Sequence, residues 1–233
     1  IKTDYAGIWQ YLSSYSPLQT ADGIRDCLHE FGHKGDIPAI DFVPHHVAHV
    51  CQAYNQSPFE NAALLVVDGS GEENTVSAFE MRNGKMRKVF GYDVPYSLGW
   101  FYGGFTAYLG FRANRDEGKL MGLAAYGESG KDRNPWLERL DRIIRVTPDG
   151  FEMDPLFFKL GGNNWHPRFS DHLVNFITSF DPDLRPVSIG ELVSLPDGST
   201  GPRYLLDGYI DLAYAVQSRL EEVMIRLIGR LVK

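Results

Sequence analysis

Three β-prone segments follow one another between residues 63 and 92, and they constrain the fold of this chain more than any other feature. The first, residues 63–67, is a continuous apolar run of the kind that forms a buried strand. Residues 76–81 and 86–92 are also β-prone, and the Asn83-Gly84 pair between them is a strong signal for a two-residue hairpin. The pattern predicts an antiparallel meander.

A glycine-rich segment, Asp68-Gly69-Ser70-Gly71, follows the first of these strands. Asp68 would then emerge at the carboxyl end of a buried strand, where open α/β sheets bind ligands. A glycine turn lets a phosphate approach backbone N–H groups closely, and the Ser70 hydroxyl adds a donor. The same four residues are also typical of a tight hairpin turn, and the two interpretations can coexist.

Upstream, Pro44 precedes three closely spaced histidines, His45, His46 and His49. If this segment is helical, His45 and His49 are four residues apart and project from one face, and Pro44 is well placed to open the helix. Two imidazoles, the Asp68 carboxylate and open positions favour a hexacoordinate ion such as Fe(II) over a closed structural zinc site. His46 is the alternative ligand, because it lies three residues before His49. A polar helix surface without a metal would have the same spacing.

Composition excludes several classes of protein. The 233 residues, 43% of them hydrophobic, can bury a sizeable core as one large domain or two small lobes. A formal net charge of −7 with scattered Lys and Arg argues against broad nucleic-acid binding. The sequence shows neither a membrane-length apolar run nor a signal pattern, so we expect a soluble, cytoplasmic protein with no membrane partner. Cys27 and Cys51 lack CxxC spacing, which argues against a disulfide framework or a thiolate zinc site.

Two segments before the histidines carry weaker signals. Residues 20–33 predict a short amphipathic helix, with Thr20 or Asp22 as its cap. Its apolar face would comprise Ile24, Leu28 and Phe31. Residues 37–43 are β-prone, and a strand there would lead directly into the histidine helix.

Two further helices are expected after the meander. Residues 96–111 are apolar on nearly all sides and predict a buried helix opened by a capping serine. Each glycine in its interior would cost about 1 kcal/mol relative to alanine, so close packing or a ligand should offset the loss. We expect close packing at Gly103 and Gly104, and a ligand-facing position for Gly99. A broad apolar stripe over residues 207–231 predicts a long amphipathic helix.

Residues 114–127 are charged at first and rich in small residues afterwards, which suggests a loop-to-helix ligand site. The alternative is a solvated turn containing Glu117 and Lys119. Most prolines of the chain lie in the less patterned stretch 129–203, which we interpret as an inserted subdomain.

Four motifs occur in one order between His45 and Gly127: His-His-x-x-His, Val-Val-Asp-Gly-Ser-Gly-Glu, Ser-Leu-Gly-x-Phe-Tyr with Thr-x-x-Leu-Gly-Phe, and Glu-Gly-Lys-x-Met-Gly-Leu-Ala-x-Tyr-Gly. Together they resemble the O-carbamoyltransferases of nodulation-factor and antibiotic biosynthesis. The resemblance implies an α/β, actin-like fold of the sugar kinase, Hsp70 and ribonuclease H-like kind, present here in part and with an inserted, mostly helical or irregular subdomain. Residues 1–128 would belong to the actin-like metal- and nucleotide-binding lobe, 129–204 to the insertion, and 205–233 to a helix returning to the core.

The resemblance also implies an activity. Proteins of this family make carbamoyladenylate from carbamoyl phosphate and ATP in a second domain, and their actin-like domain transfers the carbamoyl group to a hydroxyl of a small-molecule acceptor, with a metal ion, usually iron. By this resemblance His45, His49 and Asp68 stand where the metal ligands stand. The implied nucleotide-binding residues are Gly69, Ser70, Gly71, Gly99, Glu117, Lys119 and Gly122. Lys119 would pair either with a phosphate or with Glu117.

The sequence departs from the family pattern in several places. The early glycine-histidine-aspartate loop has no counterpart before His45, and the later glycine-rich strand, the acidic metal ligand after the long helix and the adenylate-forming domain are absent. We therefore expect a fragment of an enzyme, with an incomplete metal site and no transferase activity of its own. The general base for the acceptor hydroxyl could lie in the absent part, and His46 is the candidate within this chain. A homodimer is compatible with these features.

Other functions share some of the same features. A tRNA threonylcarbamoyl transferase would also carry the helix-borne histidine pair and a metal, but the Glu-Gly-Lys-x-Met-Gly-Leu-Ala segment argues against it. A metallopeptidase would need the His-Glu-x-x-His glutamate, which this segment lacks. A metal-free nucleotide-binding module is the alternative outside these enzyme classes.

Overall fold

The computed structural model describes residues 16–130, 132–159 and 168–232. The helices are α1 Pro17–Glu30, α2 His45–Gln56, α3 Leu98–Tyr108, α4 Glu117–Ala124, α5 Trp136–Arg139, α6 Asp171–Phe180 and α7 Asp207–Leu231. The strands are β1 Ala62–Gly71, β2 Asn74–Arg82, β3 Lys85–Asp93, β4 Ile144–Thr147, β5 Gly150–Met153, β6 Leu192–Ser194 and β7 Thr200–Pro202. Short 3₁₀ turns occur at Leu140–Arg142, Pro155–Phe157 and Arg203–Leu205.

Strands β1, β2 and β3 form the predicted antiparallel meander, with β2 in the centre. Arg82 pairs with Lys85, so the connection is the two-residue loop Asn83-Gly84, and both loop residues have positive φ. Such a loop matches the right-handed twist of the strands, which is why Asn-Gly is favoured there. The meander and its hairpin are therefore confirmed.

Strand β1 extends further than the predicted five residues and runs through Gly71. Gly71 pairs with Asn74, so the β1–β2 turn consists of Glu72 and Glu73, and Glu72 takes the positive φ that the turn needs. The interpretation of residues 68–71 as the hairpin turn is thus wrong. These residues instead lie where the pairing register shifts between Val67 and Gly71, so that β1 bulges out of the regular ladder there. We call this irregular end of β1 the bulge.

Helix α3 is buried along nearly its whole length, as predicted, and Gly99 in its first turn is partly exposed. It begins where the Ser97 hydroxyl accepts a hydrogen bond from the backbone N–H of Trp100 at 3.1 Å. A Cβ on Gly104 would lie 2.5 Å from a ring carbon of Phe158, so the expectation of close packing is confirmed there. The same expectation is wrong at Gly103, where the nearest atoms would be 3.8 Å away, an ordinary contact distance.

The long helix α7 matches the predicted residues 207–231. It packs against α4, α5 and the β4–β5 hairpin. Its buried apolar residues belong to one hydrophobic cluster that also includes side chains of β2, α3 and the stretch 136–187. The protein is therefore a mixed α/β molecule with small antiparallel sheets. The actin-like topology and the boundaries at 128 and 204 stay predictions.

Two expectations for the segment before the histidines are wrong. Residues 37–43 form no strand, because no neighbouring strand within the described part of the chain pairs with them and Pro38 lacks a backbone N–H. Helix α1 spans Pro17–Glu30, with Pro17 at its first position, so Thr20 and Asp22 lie inside the helix and cannot cap it.

The predicted apolar face of α1 is exposed to solvent, with Phe31 86% exposed. Ile24 and Leu28 are also exposed.

Among the helices of the described ranges, none is long and apolar enough to cross a membrane.

Candidate metal centre

Helix α2 carries the histidines and begins directly after Pro44, as the sequence suggested. It packs against β1 and β2. The side chains of His46 and Val50 are its buried residues, so they define the face that lies on the sheet. His45 and His49, one turn apart, are therefore left on the exposed side next to the bulged end of β1.

Three ligand-type atoms converge at this point. His45 Nε2 lies 2.9 Å from Asp68 Oδ2, His49 Nε2 lies 3.0 Å from His45 Nε2, and His49 Nε2 lies 3.7 Å from Asp68 Oδ2. The other carboxylate oxygen of Asp68 accepts a 2.6 Å hydrogen bond from the backbone N–H of Gly69, which orients the carboxylate. All three side chains are partly exposed, between 35% and 48%, so the cluster is open to solvent on one side.

The donor set fits a transition-metal cation. Ligand atoms bound about 2.0–2.2 Å from an ion at angles of 90–110° are separated by roughly 2.8–3.6 Å, which is close to the separations of these three atoms. A single proton on His45 Nε2 cannot serve both of its neighbours, whereas a cation can be shared by all three atoms. Two imidazoles and one carboxylate with open positions suit Fe(II) or Zn²⁺. The structure thus brings together His45, His49 and Asp68, and their metal role stays a prediction.

Gly71 packs directly against the histidines. A Cβ at this position would lie 2.5 Å from His45 Cδ2 and 2.7 Å from His46 Cδ2, so any larger residue would displace an imidazole ring. Ser70 is half-buried within β1. The phosphate-binding roles of Ser70 and Gly71 stay predictions. Independently of any phosphate, position 71 requires glycine because a side chain there would collide with the two imidazole rings.

Gly69 is held from the side of helix α3. The Ser97 hydroxyl donates a 2.6 Å hydrogen bond to the carbonyl oxygen of Gly69, and the indole edge of Trp100 would lie 3.3 Å from a Cβ at Gly69. Ser97 therefore both caps α3 and anchors the residue next to Asp68. Its capping role follows from the sequence, but its bond to Gly69, 28 residues away, has no local sequence signal.

His46 does not join the other histidines. Its side chain turns towards the sheet, its Nδ1 shares a 2.8 Å hydrogen bond with Ser77 Oγ, and only 3% of the residue is exposed. Burial lowers the pKa of His46, and the nearby Asp68 carboxylate only partly opposes this shift. The structure thus groups His45 rather than His46 with His49. The general-base role of His46 stays a prediction, and its burial keeps the ring away from a solvent-borne acceptor.

Residues 8–143, more than half of the chain, match the family described as Carbamoyltransferase N-terminus. The chain belongs to this carbamoyltransferase family. The match includes α2, the meander, α3 and α4, and therefore every residue of the candidate metal centre.

Three relatives illustrate how far the similarity of this chain extends. It is 43% identical over 125 residues to the uncharacterized protein sll1178 of Synechocystis sp.. This alignment covers 53% of this chain and 20% of the relative. The chain is 33% identical over 105 residues to the nodulation protein NolNO of Sinorhizobium fredii, covering 45% of this chain and 15% of the relative. It is 32% identical over 82 residues to the uncharacterized protein MJ1051 of Methanocaldococcus jannaschii, 35% of this chain and 16% of the relative. The aligned segments thus span a fifth or less of these relatives.

The remaining nucleotide-binding candidates lie in two places. Gly99, in the first turn of α3, contacts the bulge: a Cβ there would lie 2.7 Å from the Gly69 backbone. Glu117, Lys119 and Gly122 lie on α4, which packs against α3 and α7. Their nucleotide roles stay predictions.

Of the two alternatives for Lys119, the pair with Glu117 is wrong, and the pairing with a phosphate stays a prediction. Lys119 Nζ lies 3.2 Å from Asp116 Oδ1, while Glu117 accepts a hydrogen bond from the backbone N–H of Asn114. The carboxylate of Asp116 attracts the lysine because it lies three residues before it, on the same side of the helix start. Gly122 is exposed, with open space where a Cβ would point.

Proposed function

We propose that this chain is part of an O-carbamoyltransferase that moves a carbamoyl group from carbamoyladenylate, made from carbamoyl phosphate and ATP, to a hydroxyl of a small-molecule acceptor. In this proposal His45, His49 and Asp68 hold a divalent cation, with Fe(II) as the first candidate. The observation that carries the proposal is the convergence of these three ligand atoms in a carbamoyltransferase-family chain.

The reaction requires a defined set of bond changes. The acceptor oxygen forms a bond to the carbamoyl carbon, and the bond from that carbon to the phosphate oxygen of the adenylate breaks. AMP leaves with the electron pair, and the hydroxyl proton passes to a base. When bound, a divalent cation supplies Lewis-acid stabilisation for the negative charge that develops on phosphate or carbamoyl oxygens.

The residues of the chain would each make a separate contribution. His45 and His49 present neutral nitrogen ligands, and the Asp68 carboxylate supplies negative charge to balance a cation. The Gly69 N–H holds that carboxylate, and the Ser97 hydroxyl anchors the Gly69 carbonyl. Because the cluster is open on one side, substrate oxygens could reach it without displacing a protein ligand.

A metal and activity measurement on the protein at its natural length tests this proposal. The wild type would be reconstituted anaerobically with Fe(II), Mn²⁺ or Zn²⁺ beside His45→Ala, His49→Ala and Asp68→Ala. His29→Ala, which alters an exposed histidine on α1, is the matched control. Elemental analysis should find near-stoichiometric metal in the wild type and the control and strong loss in the three variants, together with loss of carbamoyl transfer to a panel of hydroxyl acceptors.

Two results would overturn the proposal. Wild-type protein that binds none of these metals but binds adenylate would be a metal-free nucleotide-binding module. Undiminished carbamoyl transfer in all three alanine variants would show that the cluster has no part in the reaction.

A further inference from the structure

Helix α2 carries two of the three candidate ligands, yet few of its side chains hold it on the sheet. Of its twelve residues, the buried ones are His46 and Val50. The contact of Val50 is apolar and has no directional preference. The His46–Ser77 hydrogen bond is directional, because a ring nitrogen and a hydroxyl must align at 2.8 Å.

Ser77 offers a rigid anchor for this bond. It is fully buried in the central strand β2, paired with Val66 of β1 on one side and with Gly91 of β3 on the other. His46 lies one residue after His45 and three before His49. The hydrogen bond therefore ties the ligand-bearing turn of α2 to the most constrained strand of the meander.

The rotation of α2 matters on the scale of a metal bond. Side-chain ends lie about 5–6 Å from a helix axis, so a rotation of about 20° moves them by roughly 2 Å. Metal–ligand distances tolerate deviations of only about 0.2 Å. A helix free to rotate by 20° would therefore separate His45 Nε2 from the Asp68 carboxylate.

Stability alone does not explain a histidine at this position. Its Nε2 is buried and has no hydrogen-bond partner among the described residues. The cost of leaving a buried polar atom unpaired is as large as, or larger than, the net gain from one neutral hydrogen bond. Apolar residues at both position 46 and position 77 would fill the same space without that cost, so the advantage of the pair lies in the directionality of its hydrogen bond.

We propose that His46 and Ser77 form a positioning pair that sets the rotation of α2 and thereby aims His45 and His49 at Asp68. This inference rests on the metal site of the proposed function. His46 acts here through its neighbours and does not itself bind the cation.

Removal of one hydroxyl tests the pair on the full-length protein. Ser77→Ala should weaken Co²⁺ affinity about tenfold to a hundredfold, the range typical of residues that support metal ligands, and alter the Co²⁺ absorption spectrum. Ser77→Thr retains a hydroxyl and should recover most of the affinity. Thr75→Val is the matched control, because it also removes a buried hydroxyl from β2. That hydroxyl donates to the carbonyl oxygens of Tyr92 and Tyr96 and makes no bond to α2. The Co²⁺ affinity and spectrum of this variant should match those of the wild type.

The outcomes separate the inference from the function on which it rests. Wild-type protein that binds Co²⁺, with Ser77→Ala unchanged in affinity and spectrum, overturns the positioning pair alone. Equal weakening in Ser77→Ala and Thr75→Val also overturns it, because the effect would then be general destabilisation. Wild-type protein without Co²⁺ binding overturns the metal site and the pair together.

Discussion

At the scale of single residues, Gly71 controls how closely β1 can approach the histidines. The two imidazole edges of His45 and His46 occupy the space where a side chain at Gly71 would start. The glycine is required here for space, since its φ is not in the left-handed region. The candidate metal centre therefore depends on a residue that is not itself a ligand.

Substitution of Gly71 should damage metal binding more than folding. In Gly71→Ala the new Cβ would lie 2.5 Å from His45 Cδ2, so the His45 ring must leave its present position beside Asp68. We expect metal affinity to fall about tenfold to a hundredfold, measured by titration with Co²⁺. Gly23→Ala, on α1 with no atom near its Cβ, is the control and should leave affinity unchanged. Equal affinity in Gly71→Ala and wild type would contradict the prediction.

At the scale of elements, the start of α3 crosses the β1 bulge where Gly99 of the helix meets Gly69 of the strand. A Cβ on Gly99 would lie 2.7 Å from Gly69 N and Cα, and these backbone atoms cannot rotate away as a side chain can. The closeness of this crossing lets Ser97 reach the Gly69 carbonyl. The helix and the bulge therefore act as one unit that holds Asp68.

Gly99→Ala should destabilise the protein by about 1–3 kcal/mol, because it forces the helix away from the strand. Gly103→Ala, in the same helix, meets no atom closer than 3.8 Å and should be neutral or stabilising by about 0.5–1 kcal/mol. Urea unfolding measures both changes. The prediction fails if the two alanine variants have the same free energy of unfolding.

Helix α7 is joined to α5 and to the start of β4 by a buried arginine. Arg219, 7% exposed, donates hydrogen bonds to the carbonyl oxygens of Ile144 at 2.7 Å and Leu137 at 2.8 Å, and pairs with Asp141 and Glu222. Both backbone carbonyls thus accept from one side chain.

Arg219→Met keeps much of the side-chain length but removes every donor. We expect a loss of about 2–5 kcal/mol in the free energy of unfolding, because two carbonyl groups lose their partner. Arg226→Met, an exposed position on the same helix, should change it by less than about 0.5 kcal/mol. Comparable losses in the two variants, measured by denaturant unfolding, would show that the buried hydrogen bonds contribute little.

At the scale of the whole molecule, carboxylates distributed over its surface set the response to acid. Their ionised forms accept hydrogen bonds that hold the pKa of each below its ordinary value of 4.5 for Glu or 3.8 for Asp. The groups and their main partners are Glu80 with Arg87, Asp116 with the Arg112 backbone, Glu191 with Arg185, and Asp197 with Ser199.

A depressed pKa in the folded state stabilises the protein above the unfolded pKa, and this stabilisation is lost as the pH falls through the folded value. We therefore expect the free energy of unfolding to decrease as the pH falls below about 4.5, in part because these groups become protonated. Glu191→Gln should be less stable than wild type at pH 7, and the difference should shrink as the pH falls further. Denaturant unfolding of both proteins between pH 7 and pH 3 measures it, and a constant difference would contradict the assignment.

Much of the local structure could be predicted, because it follows from periodicity and turn chemistry. The meander, the Asn83-Gly84 hairpin and α7 depend on patterns of two to four residues. The expected strand at residues 37–43 and the turn at residues 68–71 failed for a different reason. A strand needs a partner, and the position of a turn depends on which residues pair across it, so neither can be settled within one segment.

The sequence by itself determined the family, the helical spacing of the histidines and the presence of a carboxylate after a buried strand. Only the tertiary structure decided that His45 rather than His46 faces Asp68, and that His46 bonds to Ser77. The physical reason is distance along the chain: Asp68 lies 23 residues after His45, and Ser77 lies 31 residues after His46. Which side of α2 meets the sheet is set by packing between these separate segments, and no local pattern contains that information.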